Sequence, residues 1–343
     1  MVGAGAWGTT VAALAAATAP TRLWAFEVEV VRAVREEGEN SAFLPGHPLP
    51  AGLQATNDMA EAVEGASLVV VAVPSRHLRD IMRVAHRFVP SNALVLSLTK
   101  GLESDTGKRM TEVLREVLDT HESSTIGVLS GPNLAAELMA GQPAATCVAF
   151  PDIANAELVQ RLLTSDRLRV YTSSDVIGCE IGGVVKNVIA IAAGIADGLG
   201  YDMNTKAALI TRGLAELSRL GAAAGGEPLT FLGLSGIGDL IATCGGPRSR
   251  NYRVGEQLAA GRTVSEIVSD SRAVAEGVET APLVVALARR LGVDMPICET
   301  VVAICSGQLA PSEALPSLMK RTPKRELEGP DSATAPTSVG PTG

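Results

Sequence analysis

Short runs of Val, Leu and Ile alternate with amphipathic stretches through the first half of the chain. Leu68–Val73 is continuously apolar and Ala93–Leu98 is apolar but for Ser97; both are too short for a core helix and are closed by Pro74-Ser75 and Thr99-Lys100-Gly101. They predict buried strands. Thr21–Phe26, Ile126–Leu129, Ala144–Phe150 and Leu168–Tyr171 are further strand candidates. Between them, the alanine-rich stretch Thr9–Ala19, stopped by Pro20, and Arg76–Phe88 predict helices. That alternation implies a parallel sheet covered by helices. From about Asp175 the pattern changes to long helices, the first spanning roughly Val176 to Leu199, and this predicts an all-helical second domain. After Lys320 the chain turns rich in Pro, Thr, Ser and Gly, which predicts a disordered tail. The expected division is 1–174, 175–321 and a tail over 322–343.

The run Gly3-Ala4-Gly5-Ala6-Trp7-Gly8 has the G-x-G-x-x-G spacing of a strand-to-helix turn in a Rossmann-type unit. Its glycines allow a tight turn and let backbone approach a pyrophosphate, which rests on the helix N-terminus. Glu27, nineteen residues beyond Gly8, stands about where an acid binds the adenosine ribose. Gly3, Gly5, Gly8 and Glu27 are therefore candidate cofactor-binding residues. Only Met1 and Val2 precede the turn, so the first strand is expected to be truncated, with translation starting upstream.

The chain has 343 residues, 46% hydrophobic and 19% charged, with a net charge of −8. The negative balance argues against nucleic acid or an anionic membrane as partner. With 3% aromatic residues, a stacking platform for single strands is also disfavoured. Residues 1–20 carry no charge but lack a basic n-region, and glycines interrupt their apolar run, unlike a signal peptide. Other apolar runs are shorter than a membrane span. Cys147, Cys179, Cys244, Cys298 and Cys305 show no C-x-x-C spacing, which suits reduced thiols and a cytoplasmic protein. The four histidines are scattered, and no metal site is expected.

Lys186 lies in the middle of the apolar helix from Val176, so it must either snorkel out or face a cleft. An exposed charge is the commoner case for lysine. A lysine between a dinucleotide crevice and an apolar face would have the lowered pKa a proton shuttle needs. Ala190 and Gly194 follow at four-residue spacing, a small-residue stripe that admits a backbone or a ligand. The segment Gly245–Arg253 gathers Arg248, Ser249, Arg250, Asn251 and Arg253 among glycines, which suits an anion such as phosphate or else a solvated loop. Asp239, just upstream, could pair with a lysine or cap a helix.

Taken together, the chain resembles the soluble bacterial NAD(P)-dependent glycerol-3-phosphate dehydrogenases. The matching segments are Gly3–Thr9, Phe43-Leu44-Pro45-Gly46, Ala72–Ser75, Lys100–Glu103, Ser130-Gly131-Pro132-Asn133, Glu180, Lys186-Asn187, Arg212–Glu216, Gly238–Leu240, Arg248–Asn251 and Glu276-Gly277. They cover nearly the whole chain to about residue 320. The resemblance implies reversible hydride transfer between a nicotinamide and the dihydroxyacetone phosphate/sn-glycerol 3-phosphate pair, feeding glycerophospholipid synthesis. It implies Lys186 as proton donor and acceptor and Lys100 in contact with cofactor and substrate. Gly131, Asn133, Asp239, Ser249, Arg250 and Asn251 would surround the substrate. Ala6, Trp7, Ala135, Arg250 and Glu276 would contact the dinucleotide. A homodimer is open under this resemblance.

Two further features depart from the family pattern. Phe26-Glu27 stands where many members carry an arginine for the NADP 2′-phosphate, and a carboxylate there favours NAD. Asn133 replaces a common serine or threonine, and its amide still hydrogen-bonds. Alternatives are a hydroxyacid or phosphogluconate-type dehydrogenase, and a nonenzymatic dinucleotide-binding paralogue.

Overall fold

Val2 is bridged to a strand on either side. Its N–H donates to the Val70 carbonyl at 2.7 Å and its carbonyl accepts from Ala72 at 2.8 Å, while Trp24 N–H donates to the Met1 carbonyl on the other flank. This two-sided bridge joins two sets of strands in a computed structural model that describes residues 1–270, 275–323 and 326. One set is β1 (Thr21–Trp24) with β2 (Leu53–Thr56). The other runs β3 (Leu68–Val71), β4 (Leu94–Ser97), β5 (Ile126–Ser130), β6 (Ala144–Ala149) and β7 (Leu168–Ser173). With Val2 counted as the first strand, the order is that of a doubly wound dinucleotide fold, and the turn after Val2 sits where strand order reverses.

The pairings are parallel except one. β6 runs antiparallel to β5, with Val128 opposite Ala149 and Ser130 opposite Cys147, and β7 then runs parallel to β6. The parallel sheet expected from the sequence is present, with this one antiparallel pairing inside it. A continuously apolar strand is buried on both faces whichever way it runs, so its composition does not report direction. β2, with its alternating Gln54 and Ala55, was not among the expected strands.

Helices cover both faces. α1 (Ala6–Ala16), α4 (Ala135–Met139) and α5 (Ile153–Leu163) lie on one side, where Val11, Ala12, Leu23, Leu96, Leu138 and Val159 are buried together. α2 (Ser75–Ala85) and α3 (Met110–Val117) pack on the other through Leu78, Met82, Met110 and Leu114. The second domain is built on α6 (Val176–Gly198), surrounded by α7 (Met203–Ala223), α8 (Asp239–Cys244), α9 (Arg250–Ala259), α10 (Glu276–Arg290) and α11 (Pro296–Cys305). α6 is long and apolar enough to cross a bilayer, contrary to the expectation that every apolar run is too short. Its apolar window is 89% buried inside the protein, as a central core helix.

Two carboxylates tie helices together end to end. Glu180 on α6 accepts from the Thr111 N–H at 2.9 Å and the Thr111 hydroxyl at 2.6 Å, and pairs with Arg109 at 2.5 Å. It thereby satisfies the free N-terminus of α3 and joins the two domains. Glu216 on α7 does the same for α11, accepting from Ile297 at 2.7 Å and Cys298 at 3.2 Å. Burial pushes the Glu216 carboxyl up to about 7. The small-residue stripe on α6 is filled by protein. A Cβ on Gly194 would collide with the Tyr252 carbonyl of α9, so the stripe admits a helix rather than a ligand. The expected tail at 322–343 lies outside the described residues, apart from 322, 323 and 326.

Candidate active site

The three glycines of the first turn have different duties. Gly3 has φ of +110°, and a Cβ there would lie 2.6 Å from the Ala72 carbonyl oxygen. A Cβ on Gly8 would strike the Gly3 carbonyl. Both are required by the protein's own packing. A Cβ on Gly5 would meet nothing within 4 Å among the described residues. Gly5 caps α1 with no side chain, so the first-turn N–H groups of Ala6, Trp7 and Gly8 face outward as an anion cradle. Buried Asn40 fixes this turn by donating to the Ala4 carbonyl and the Thr9 hydroxyl, both at 2.8 Å. Glu27 lies just past β1 at the N-cap of a short helix, exposed, with Gly3 N–H bonded to the Trp24 carbonyl nearby. These features fit a dinucleotide: an open glycine, uncapped donors and an acid beyond the second strand.

Lys186 is buried, at 7% exposure. The snorkelling alternative is thus set aside. Its Nζ lies 2.8 Å from Asp239 Oδ1 and donates to the Thr243 hydroxyl at 2.8 Å. Burial lowers its pKa to about 8, with Lys100 also lowering it and Asp239 opposing both. The other Asp239 oxygen pairs with Lys100, whose Nζ also donates to the Gly131 carbonyl at 3.2 Å. Burial pushes the Asp239 carboxyl up, but the two lysines outweigh it and hold it below its usual range. Asp239 opens α8, yet its side chain serves the lysines rather than a cap.

The approach of these groups is set by small residues. A Cβ on Gly182 would enter the Ser235 carbonyl, and one on Gly183 would lie 3.1 Å from Ser130 Oγ and 3.4 Å from the Lys100 stem. Gly131 has φ of +149° and sits against Thr146. Asn133 donates to the Thr146 hydroxyl at 3.0 Å, while its buried Oδ1, like Ser130 Oγ, has no partner among the described residues. Buried polar atoms of this kind mark where a ligand or water is expected.

Ser249 caps α9 by accepting from Tyr252 N–H at 3.3 Å. Asn251 donates to Asn187 at 2.9 Å and accepts from Gly277 N–H at 2.9 Å, so its amide ties α6, α9 and α10. Arg250 is exposed at the first turn of α9, while Arg248 pairs with Glu137. Glu276 begins α10. Burial raises its pKa, against the charges of Arg250, Lys186 and Lys100. Ala135 begins α4 next to Asn133. Thr243, Asn187 and Asn40 were not given roles from sequence. Thr243 follows Asp239 by one helical turn, a spacing that could have suggested it.

A doubly wound nucleotide fold facing a helical domain, with a buried and a half-buried lysine sharing one carboxylate, defines a two-domain, nicotinamide-dependent dehydrogenase. Comparison narrows the class. Residues 1–156 match the N-terminal and residues 175–316 the C-terminal profile of NAD-dependent glycerol-3-phosphate dehydrogenase, and the chain belongs to that family. It is 49% identical over 320 residues to glycerol-3-phosphate dehydrogenase [NAD(P)+] 2 of Sphingopyxis alaskensis, covering 93% of this chain and 95% of that one. It is 47% identical over 327 residues to the Citrifermentans bemidjiense glycerol-3-phosphate dehydrogenase [NAD(P)+], covering 95% and 98%. The crystal structure of the Coxiella burnetii glycerol-3-phosphate dehydrogenase superposes with a TM-score of 0.88 at 35% identity, covering 93% and 98%.

Proposed function

We propose that this chain interconverts dihydroxyacetone phosphate and sn-glycerol 3-phosphate, with Lys186 as the general acid and base at the C2 oxygen. The observation that carries the assignment of roles is the buried Lys186 held between Asp239 and Thr243 with a pKa near 8. A bound nicotinamide dinucleotide supplies or accepts the hydride. Gly3, Gly5, Gly8, Ala6, Trp7, Glu27, Ala135, Arg250 and Glu276 are the groups that would hold it.

In the reductive direction the Lys186 ammonium gives a proton to the carbonyl oxygen as negative charge develops there. Lys100 adds fixed positive charge beside the same oxygen, and Asp239 orients both ammonium groups. Arg250, with Ser249 and the remaining N–H of Asn251, holds the phosphate, and Gly131 and Asn133 border the carbon chain. Binding at the phosphate end orients C2 against Lys186. Glu27 repels a 2′-phosphate and makes NAD the better cofactor. The same reading implies a cytoplasmic enzyme that supplies glycerophospholipid synthesis.

The test is dihydroxyacetone-phosphate-dependent oxidation of NADH and NADPH by the wild type and Lys186→Ala. Turnover with NADH that disappears in the variant is expected. Activity that persists without Lys186 removes it from the mechanism, and silence toward this substrate in the wild type removes the assignment.

A further inference from the structure

Cys147 on β6 and Cys179 in the first turn of α6 come from different domains, and their sulfur atoms lie 4.0 Å apart. No sequence motif joins them. Cys179 is fully buried and Cys147 half-buried, so one thiol is open to a small oxidant and the other waits behind it. We propose that this pair is a redox-modifiable site that closes to a reversible disulfide and thereby slows turnover.

The chemistry balances with hydrogen peroxide as oxidant. The Cys147 thiolate attacks one peroxide oxygen, the O–O bond breaks, and hydroxide leaves to be protonated to water, giving a sulfenic acid. The Cys179 thiol then attacks that sulfur, expelling a second water and forming the S–S bond. Two thiols are oxidised and one peroxide is reduced. A dithiol reverses the step by exchange. The two sulfurs have unequal roles. The Cys179 S–H donates to Cys147, and with the Ser235 hydroxyl it holds the Cys147 thiol below its usual range. Cys179 is pushed well up, first by that same hydrogen bond and then by burial. Cys147, the sulfur that solvent reaches, is the attacking one and the buried Cys179 the resolving one.

A disulfide requires the sulfurs to close by about 2 Å. The surroundings give little slack. Val128, Ala149 and Val176 pack around Cys179 as a small core of their own. Gly182, one turn on, touches the Ser235 backbone, Ser235 donates to the Ser130 carbonyl at 3.3 Å, and Gly131 next to it carries the carbonyl that receives Lys100. Lys186 itself lies about two turns along from Cys179 on α6. Movement at the sulfurs thus reaches both lysines, and small displacements of positioned groups are costly in rate.

Peroxide-treated protein, alkylated and peptide-mapped by mass spectrometry, should show the Cys147 and Cys179 peptides joined, with two hydrogens lost. The map is independent of the activity assigned above. Turnover should fall several-fold and return with dithiothreitol. Cys147→Ser should keep the untreated activity and not respond to peroxide, and Cys179→Ser should stop at the sulfenic acid on Cys147. A map in which both thiols remain separately alkylated after treatment overturns the site. Cross-linking without a dithiothreitol-reversible loss of turnover, or an equal loss in Cys147→Ser, overturns its effect on activity.

Discussion

Asp239 gives one carboxylate oxygen to each of two lysines, Lys186 from the core helix α6 and Lys100 from the end of β4. Buried between them, it contributes a single negative charge to two positive ones and leaves the site a net cation suited to an anionic substrate. Removing that charge without changing shape has a definite consequence. In Asp239→Asn the upward pull on the Lys186 pKa is lost, so its titration moves below about 8. The reductive kcat should fall about 10²-fold, within the range for a positioned acid, and its alkaline limb should shift to lower pH. A limb that stays in place would show that Asp239 does not set the lysine's proton affinity.

The wild-type profile has its own sign. Reduction needs Lys186 protonated, so kcat/KM for the ketone should fall as pH rises through about 8. Oxidation of the alcohol needs the neutral amine, so its rate should rise over the same interval. Both limbs should vanish in Lys186→Ala, along with roughly 10²–10⁴ of the rate. Steady-state profiles in both directions from pH 6 to 10 provide the measurement.

Glu27 stands exposed beyond β1, so its replacement should cost no stability. Glu27→Ala should raise kcat/KM for NADPH relative to NADH about tenfold, on the order of 1.4 kcal/mol. An unchanged ratio would place cofactor choice elsewhere in the crevice.

Gly3 and Gly5 should respond differently to the same methyl group. Gly3→Ala forces a left-handed φ and a backbone collision, and should lower stability on the order of 1–3 kcal/mol. Gly5→Ala meets open space and should melt like the wild type while binding cofactor more weakly. Thermal melts beside fluorescence titration with NADH separate the two.

Glu216 links stability to pH. Its folded pKa of about 7 is above the unfolded value of 4.5, so its contribution is full below 4.5 and is lost as pH rises through 7. The span corresponds to a few kcal/mol, on the order of 3. In Glu216→Gln the melting temperature should lose that part of its decline between pH 4.5 and 7. An identical slope in the variant would remove Glu216 as the source.

Much of this was legible because the relevant physics is local. The Gly3–Gly8 spacing, the apolar runs of β3 and β4 and the continuous apolar surface of α6 each reveal their element from neighbouring residues alone. The antiparallel turn of β6 was not legible, since burial on both faces erases direction from the pattern. Lys186 was visible as an anomaly in its helix, but its burial depended on Asp239 and Thr243, more than fifty residues away. The resemblance implied Asn251 near the substrate, but the bonds of its amide to Asn187 and Gly277 depended on the fold. The nearness of Cys147 and Cys179 depended wholly on the fold.

The Glu180 clamp reaches beyond the joining of two domains. The segment bearing Lys100 is pinned at its start by the Thr99 hydroxyl on the Val73 carbonyl at 2.7 Å, and midway by the Arg79–Glu103 pair at 2.6 Å. At its far end Arg109 and Thr111 are held by Glu180, on the same helix that carries Lys186. The two cations are therefore set on one mount, and their spacing is fixed before any substrate arrives. What a ligand meets is a gauge already cut to size, and the energy of its binding goes to aligning the ligand rather than the protein.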